Sequence, residues 1–478
     1  MFRSVLSKNG VRDFLDRKRL SVAYFSEQTG LPEVLVKALY DDVRLMPTVE
    51  ASAGFLQGFP GEDPTQMMIF EPEDPEAPVS SVHPEGGDGP LQVTVCGGGN
   101  LGHVFAGLLG ARDDVRVHVL VSEETKANDL KEAMGDGGIV VKMPAGEVVG
   151  RPDLITPDPS VAIPGSRLIL LCVPSHVEVG VLNRVLPYVD DDVYIGSVPA
   201  PGGFDWKAKH AFKQHNKTAV VFGLGVIPWM CKVAEYGRIV NVLGSKLINM
   251  VAVTPLERTA EVAEVMGHLL QTPVVDLQHF LHMTLHPGNQ LLHPGIMYAM
   301  FGDWDGTALL EPPLFYEGVS DEAIDLLQQM SDELLMLRGM LEAQIPDLRL
   351  PFVLPLHASI VYGYGEAVRD PSSLQSAIAT NKAYTGIRTP MVQKEGGWVP
   401  DWSSRFFWED IPHGLVVLRG LADLAGASVP VMDQVLLWAQ DQMRCVYLVD
   451  GQLNGHDVAS SGAPRCYGIA NVDDLITD

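Results

Sequence analysis

Four histidines lie within the segment "HFLHMTLHPGNQLLHPG" (residues 279–295). An imidazole can bind a metal ion, transfer protons near neutral pH or fill a core position. His279, His282 and His286 would share one face of a continuous helix, but Pro287 is expected to break or kink that helix. No carboxylate or cysteine lies in register with these three side chains. The sequence therefore predicts no metal site here, and it assigns the three histidines to packing or to positions that face a substrate.

A glycine pattern, Gly97-x-Gly99-x-x-Gly102, follows the apolar stretch "LQVTVC" and opens a stretch with helical spacing of apolar residues. In a dinucleotide-binding turn the first glycine permits the tight turn, and the second lets a pyrophosphate approach the backbone. The third brings the helix close to the strand, and the helix N-terminus faces the negative charge. The pattern predicts a nucleotide site formed by these glycines and the adjoining Asn100.

A carboxylate, Glu123, follows the second predicted strand, "VRVHVLV". Such a side chain accepts hydrogen bonds from the ribose hydroxyls of NAD and repels the 2′-phosphate of NADP. Lys126 lies close by in the sequence, so NADP is disfavoured and not excluded. The sequence lacks the GxxxxGK[ST], HExxH and GxSxG motifs of nucleoside triphosphatases, zinc hydrolases and serine hydrolases. The pattern therefore favours hydride transfer with NAD as the cofactor.

The composition narrows the choice of partners. The 478 residues include 34 basic and 60 acidic side chains, a net charge of -26, which argues against nonspecific binding to nucleic acid or to an anionic membrane. Five cysteines without a CxxC pair suit a reducing compartment. No apolar run approaches the roughly 20 residues of a membrane span. The basic residues near the start are accompanied by acidic ones, so organelle import is disfavoured and a cytoplasmic location is expected.

The chain divides into segments by pattern. Residues 1–65 are predicted to form a small helical module of helix-turn-helix type, whose would-be recognition helix (33–42) carries three acidic residues and one Lys. Packing or protein contacts are therefore favoured over DNA binding. Residues 66–90, rich in Pro, Gly and acid, predict a solvated linker. Residues 91–275, where apolar strands recur at regular intervals, predict an α/β Rossmann dinucleotide-binding domain.

Several longer blocks follow residue 90. They are "VCGGGN" (95–100), "PWMCKVAEYGRIVNVLGSK" (228–246), "LLHPGIMY" (291–298), "GDWDG" (302–306), "PLFYEG" (313–318), "ATNKAYTGI" (379–387), "RFFWEDIPHG" (405–414) and "YLVDGQLNGHDVASSGAPRCYGI" (447–469). By these blocks, in this order, the chain resembles the opine dehydrogenases of the octopine/nopaline type. The resemblance covers about four-fifths of the chain and excludes the N-terminal module and the linker.

The resemblance implies a fold and a reaction. The fold is the Rossmann domain followed by an all-α C-terminal substrate domain, residues 276–478. The reaction is an NAD(P)H-dependent reductive condensation of an α-keto acid, often pyruvate, with the amino group of an amino acid. Its product is an N-(carboxyalkyl) amino acid. Both implied substrates are small molecules, and the family uses no metal.

The resemblance also implies roles for individual residues. The family's catalytic histidine matches His293, and its carboxylate partner matches Asp410. A carboxylate in this position fixes the imidazole tautomer and stabilises the protonated ring. The family's arginine matches Arg405, whose planar guanidinium is suited to bidentate binding of a substrate carboxylate. Asn289 and Cys231 are further candidates for the substrate site.

The sequence differs from some family members at two positions of the substrate site, and it leaves two other functions open. Some family members hold the keto acid with a Gln and a Thr at positions that correspond to Pro201 and Val226, which favours a bulkier or more apolar keto acid than pyruvate. One alternative is a two-domain reductase of the ketopantoate or glycerol-phosphate type, with Lys382 in the catalytic role. The other is a non-catalytic NAD(H)-binding regulatory protein. The sequence leaves the amino-acid partner and the oligomeric state open.

Overall fold

The computed structural model describes residues 4–41, 55, 58–59, 68–72, 89–200, 202–246 and 249–476. The chain forms two compact units. The first, the helical unit, comprises residues 1–79 and 285–458, and the second, the nucleotide unit, comprises residues 80–284 and 459–478. The sequence predicted that the domains change at residue 275/276, whereas the units divide at 284/285. The C-terminal segment also belongs to the nucleotide unit and not to the helical one.

The N-terminal module contributes five described elements. They are β1 (Ser4–Asn9), α1 (Val11–Lys18), α2 (Val22–Thr29), α3 (Glu33–Asp41) and β2 (Met68–Pro72). Four phenylalanine rings pack together at its centre, namely Phe14, Phe25, Phe55 and Phe59. β1 and β2 pair antiparallel. The prediction of a purely helical module and of a linker beginning at residue 66 was therefore wrong at both strands, because their pairing joins residues far apart in the sequence. Residues 73–88 of the predicted linker lie outside the described ranges.

The nucleotide unit alternates strands and helices. Its strands are β3 (Leu91–Cys96), β4 (Val115–Leu120), β5 (Ile139–Met143), β6 (Gly146–Gly150), β7 (Leu154–Thr156), β8 (Leu168–Leu171), β9 (Tyr194–Ser197), β10 (Val220–Leu224), β11 (Trp229–Glu235), β12 (Ile239–Ser245), β13 (Asn249–Thr254) and β14 (Val274–Asp276). Its helices are α4 (Asn100–Leu109), α5 (Glu124–Met134), α6 (Pro159–Ala162), α7 (Glu178–Val185), α8 (Phe204–His215), α9 (Thr259–Leu270) and α10 (Leu281–Thr284).

The larger sheet has the order β14-β13-β10-β9-β8-β3-β4-β7. The last six strands in this order, β10 through β7, are all parallel. Those six strands follow the 3-2-1-4-5-6 order of a dinucleotide-binding Rossmann fold, with the switch point between β3 and β8. A second sheet, of order β11-β12-β5-β6, packs on the other side of α4. The close approach depends on Gly107, where an added Cβ would lie 2.5 Å from a methyl carbon of Val141.

The C-terminal part of the helical unit contains α11 (Asn289–Phe301), α12 (Asp321–Gln344), α13 (Leu356–Tyr364), α14 (Leu374–Ala379), α15 (Arg405–Trp408), α16 (Val416–Ala425) and α17 (Pro430–Met443). A π-helical turn, Ile411–Leu415, precedes α16, and β15 (Met391–Lys394) and β16 (Gly397–Pro400) form a hairpin. The central helix α12 is capped by Ser320, whose side chain accepts a hydrogen bond from the Ala323 amide at 3.2 Å. It buries one apolar stripe.

The module helix α3 packs against α13 of the same unit. The helix that the pattern placed as a recognition helix therefore has a face committed to protein packing. The predicted fold class, a Rossmann domain followed by a helical domain, is confirmed, with the small hairpin added. Among the described helices, none combines the length and the apolar character needed to cross a membrane.

Candidate active site

The glycine turn after β3 has the geometry that a dinucleotide site needs. Gly97 has φ +127°, and an added Cβ there would lie 2.5 Å from the carbonyl oxygen of Cys172, which follows β8. A Cβ at Gly102 would lie 2.0 Å from the carbonyl oxygen of Gly97, so the third glycine lets α4 sit close to the strand. A Cβ at Gly99 would meet nothing within 4 Å. The turn is therefore closely packed at its first and third glycines and open at the second, where a pyrophosphate would approach.

Two polar side chains border this turn. Asn100 is the first residue of α4, and its Oδ1 accepts a hydrogen bond from the backbone amide of Val233 at 2.9 Å, which ties the helix N-terminus to β11. Glu123 precedes α5, and its exposed carboxylate lies 3.7 Å from the ammonium group of Lys126. The backbone amides at the start of α4 and the carboxylate beyond β4 occupy the positions expected for groups that hold a pyrophosphate and a ribose. The residues present therefore fit a dinucleotide.

In the helical unit the structure brings His293 and Asp410 together. Nδ1 of His293, on α11, lies 2.7 Å from Oδ2 of Asp410, which precedes the π-helical turn. The ring of Phe406 stacks on the imidazole with centroids 3.6 Å apart. Burial raises the pKa of Asp410 above its usual range, and the hydrogen bond from His293 acts in the opposite direction. The imidazole of His293 is therefore hydrogen-bonded to a carboxylate at Nδ1 and covered on one face by an aromatic ring.

The second imidazole nitrogen also has a protein partner. Nε2 of His293 lies 2.8 Å from the hydroxyl of Tyr316. Burial, with smaller contributions from Tyr364 and Asp410, raises the pKa of Tyr316 well above its usual range, so the hydroxyl stays protonated at physiological pH. Sequence reasoning did not single out Tyr316. The available signal was its place in the block "PLFYEG", but nothing in the spacing connects that block to His293.

The three residues predicted to contact the substrate do not all lie in one unit. The guanidinium of Arg405 binds Glu409 one helical turn later, with Nε donating to Oε2 at 2.7 Å, and its side chain is 74% exposed. Asn289 is the first residue of α11, one turn before His293, and is exposed. Cys231 lies on β11 in the nucleotide unit, where burial raises the pKa of its thiol to about 11. Arg405 and Asn289 therefore share the helical unit with His293, and Cys231 belongs to the other unit.

The remaining histidines do not form a metal cluster. His282 lies in α10, while His279 precedes that helix and His286 follows it, so the continuous helical face does not exist. Burial lowers the pKa of His279 to about 4, which keeps it neutral. Within the described ranges, no group of three or more His, Cys, Asp or Glu side chains is arranged to hold a metal ion. Pro201 lies outside those ranges, and Val226 follows β10 and is partly buried.

Comparison with known proteins places this arrangement in a family. Residues 276–443 match the family described as NAD/NADP octopine/nopaline dehydrogenase, alpha-helical domain. The octopine dehydrogenase of Mizuhopecten yessoensis is 35% identical over 397 residues, which cover 81% of this chain and 98% of that protein.

Two solved structures of octopine dehydrogenase are similar to this chain. One was solved with NADH and L-arginine and has 33% identity and a TM-score of 0.73. The other was solved with NADH and pyruvate and has 31% identity and a TM-score of 0.71. In each case the match covers 81% of this chain and 98% of the solved one. The chain belongs to the octopine/nopaline dehydrogenase family and is an NAD(P)-dependent oxidoreductase that acts on CH–NH bonds, by the reductive condensation of an α-keto acid with the amino group of an amino acid.

Proposed function

We propose that His293 is the proton-transfer group of this reaction and that Asp410 orients it. The observation that carries the proposal is the 2.7 Å hydrogen bond between Nδ1 of His293 and the Asp410 carboxylate. An acid that accepts from Nδ1–H leaves Nε2 with the lone pair, so Nε2 is the nitrogen that takes a proton. Asp410 then stabilises the positive charge on the ring. The same nitrogen returns the proton later in the cycle.

The amino-acid substrate needs this proton transfer before it can react. At neutral pH its amino group is protonated and not nucleophilic, so His293 must remove a proton before the nitrogen attacks the keto carbon. The protonated ring can then donate to the departing hydroxyl as water leaves and the C=N bond forms. A bound nicotinamide supplies the hydride that reduces this bond. Imidazole suits both directions of transfer because its charge changes near physiological pH.

We propose NAD(H) as the cofactor, held by the glycine turn. Gly99 leaves room for the pyrophosphate, the first amides of α4, from Asn100 onward, face its charge, and Glu123 accepts from the ribose hydroxyls. Octopine dehydrogenase solved with NADH supports the proposal. NADP remains an alternative because Lys126, close to Glu123, would attract a 2′-phosphate.

For the substrates we propose an α-keto acid whose carboxylate binds Arg405, with Asn289 and Cys231 as further substrate contacts, and an α-amino acid. The support comes from octopine dehydrogenase, solved with L-arginine and with pyruvate. The loss of two polar side chains at Pro201 and Val226 favours a keto acid larger than pyruvate. None of the five cysteines, all within the described ranges, forms a disulfide, which supports a reducing, cytoplasmic location.

Turnover of a His293→Ala variant tests the catalytic role. Oxidation of NADH would be followed with a panel of keto acids and amino acids, and NADH binding would be measured separately by fluorescence. We expect turnover to fall by about 10²- to 10⁴-fold, the usual contribution of general acid–base catalysis, with NADH binding unchanged. Retention of wild-type turnover by the variant would exclude His293 as the proton-transfer group. In the same panel, a clear preference of the wild type for pyruvate over larger keto acids would contradict the proposed substrate size.

A further inference from the structure

The imidazole of His293 is held at both nitrogens, and the second contact has a consequence for catalysis. Asp410 occupies Nδ1, and the hydroxyl of Tyr316 lies 2.8 Å from Nε2, the nitrogen that the proposed function assigns to proton transfer. A neutral imidazole whose Nδ1–H is donated to a carboxylate has a lone pair at Nε2. The Tyr316 hydroxyl must then be the donor in this hydrogen bond.

The position of Tyr316 is fixed by the rings around it. Its ring stacks on Tyr384 with centroids 4.0 Å apart and meets the edge of Phe315 at 4.8 Å. Tyr316 is 4% exposed, and within the described residues its hydroxyl has no second hydrogen-bond partner. If the hydroxyl turned to accept from Nε2–H, its own proton would lose its acceptor in a buried position, which is costly. The donating orientation is therefore the favoured one.

We propose that Tyr316 is a positioning residue for His293, which holds Nε2 as a proton acceptor until the substrate amine takes its place. The inference rests on the proposed role of His293. A hydroxyl that donates to the lone pair competes with a solvent proton for it, so the contact with Tyr316 favours the form of the imidazole whose Nε2 can act as a base. Asp410 favours the protonated ring instead, and the two contacts act in opposite directions.

The other charged or titratable groups named here lie near Asp410 or near Tyr316, the two hydrogen-bond partners of the imidazole. Arg405 and Glu409 influence the Asp410 carboxylate, while Tyr364 lies beside Tyr384, behind Tyr316. Two further aromatic rings contact the imidazole, Phe406 on its face and Phe315 at its edge. The Tyr316 hydroxyl is therefore the group to remove in order to change the acceptor state of Nε2 without changing the acid at Nδ1.

The test is the pH dependence of kcat/KM, which reports groups of the free enzyme, in a Tyr316→Phe variant. A base must be neutral to act, so protonation of His293 produces the acid limb of the profile. Without the hydroxyl, protonation at Nε2 becomes easier, and we expect the limb to move to higher pH by about 0.5 to 1 unit, the typical net contribution of one hydrogen bond. On the acid side kcat/KM should fall about three- to tenfold for the same reason. NADH binding should not change.

Tyr447→Phe is the matched control, because Tyr447 is buried in the same unit and has no described contact with His293. It loses a buried hydroxyl in the same way and should keep the wild-type acid limb. A Tyr316→Phe profile that coincides with that of Tyr447→Phe would overturn the inference. Measured alongside them, His293→Ala separates the two proposals. If it retains activity the proposed function fails, and if it is inactive while Tyr316→Phe is unchanged only the role of Tyr316 fails.

Discussion

Two buried acid–base pairs in this protein differ in what their burial achieves. In the nucleotide unit, Glu178 at the start of α7 binds Lys207 of α8, and both side chains are 0% exposed. Ser197, at the end of β9, donates to the same carboxylate at 2.7 Å. In the helical unit, the side chains of His293 and Asp410 are 9% and 14% exposed. The first pair is sealed, whereas the second keeps a small opening.

The two pairs also differ in their basic residue, which is a lysine in the sealed pair and a histidine in the other. The contact between Lys207 and Glu178 is sealed from solvent, so it connects two helices and a strand and offers no open nitrogen to a substrate. An imidazole changes charge near neutral pH, and the second nitrogen of His293 contacts a hydroxyl, which a substrate amine can displace, and not an acid. Burial and opposite charge therefore do not by themselves mark a catalytic pair. The distinguishing features are a base that titrates and a nitrogen that the acid does not occupy.

The largest effect is expected from a change that breaks the proposed catalytic pair, His293 and Asp410, and keeps its shape. In Asp410→Asn the carboxylate charge is lost, so the imidazole tautomer is no longer fixed and the protonated ring is no longer stabilised. We expect kcat to fall by on the order of 10²- to 10⁴-fold, within the range for general acid–base catalysis, with NADH binding intact. Steady-state kinetics and a binding titration measure the two quantities. Asp305→Asn, the same change at an exposed carboxylate of the same unit, is the control, and equal kinetics for the two variants would contradict the expectation.

Removing one partner of the sealed pair, Glu178 and Lys207, should lower the stability of the protein. Lys207→Met leaves the Glu178 carboxylate buried without its cation, and we expect the free energy of unfolding to fall by about 3–5 kcal/mol. Denaturant unfolding measures it. The double variant Glu178→Leu with Lys207→Met removes both charges and should recover much of the loss, because an apolar pair avoids the desolvation cost. If Lys207→Met proves as stable as the wild type, the pair is not structural in the sense proposed.

Asp205, two residues before Lys207 on α8, gives a smaller effect that depends on pH. Its Oδ1 is buried without a hydrogen-bond partner among the described residues, and burial raises the pKa of the carboxyl to about 6. Because this folded-state value exceeds that of the unfolded chain, the contribution of this carboxyl to stability is fully present below about pH 4 and is lost as the pH rises through about 6. We expect Asp205→Asn to remove up to about 3 kcal/mol of this fall. Parallel slopes for variant and wild type in unfolding curves across that window would refute the expectation.

The smallest effect on stability is expected at an exposed pair. Glu123 and Lys126 are 59% and 55% exposed and 3.7 Å apart, so their contact contributes well under about 1 kcal/mol. Glu123→Gln should leave unfolding unchanged and shift the coenzyme preference toward NADPH, because the repulsion of the 2′-phosphate is lost. The ratio of kcat/KM for the two coenzymes measures this. An unchanged ratio would mean that Glu123 does not contact the ribose.

The strand, glycine turn and helix at the start of the nucleotide unit were predicted from local pattern, whereas only one of the two hydrogen-bond partners of His293 was predicted. The turn is encoded in six consecutive residues, whose glycines meet requirements of local backbone geometry, and its predicted strand and helix are present. Asp410 was matched to His293 through a family resemblance, since the two are 117 positions apart. Tyr316 was missed because a tyrosine in an apolar block is indistinguishable from a core residue. Strand β2 was assigned to a linker because its partner, β1, lies near the start of the chain.

From the sequence alone, strand and helix periodicity and glycine spacing predicted the Rossmann domain and its glycine turn, because these signals act over neighbouring residues. The helical domain and the family came from the resemblance of the sequence blocks after residue 90. The tertiary structure alone decided which groups meet. It placed Tyr316 at Nε2 of His293, bound Arg405 to Glu409, and sealed Glu178 with Lys207. Contacts between distant positions depend on how helices and strands pack, and a single sequence carries no periodic signal for them.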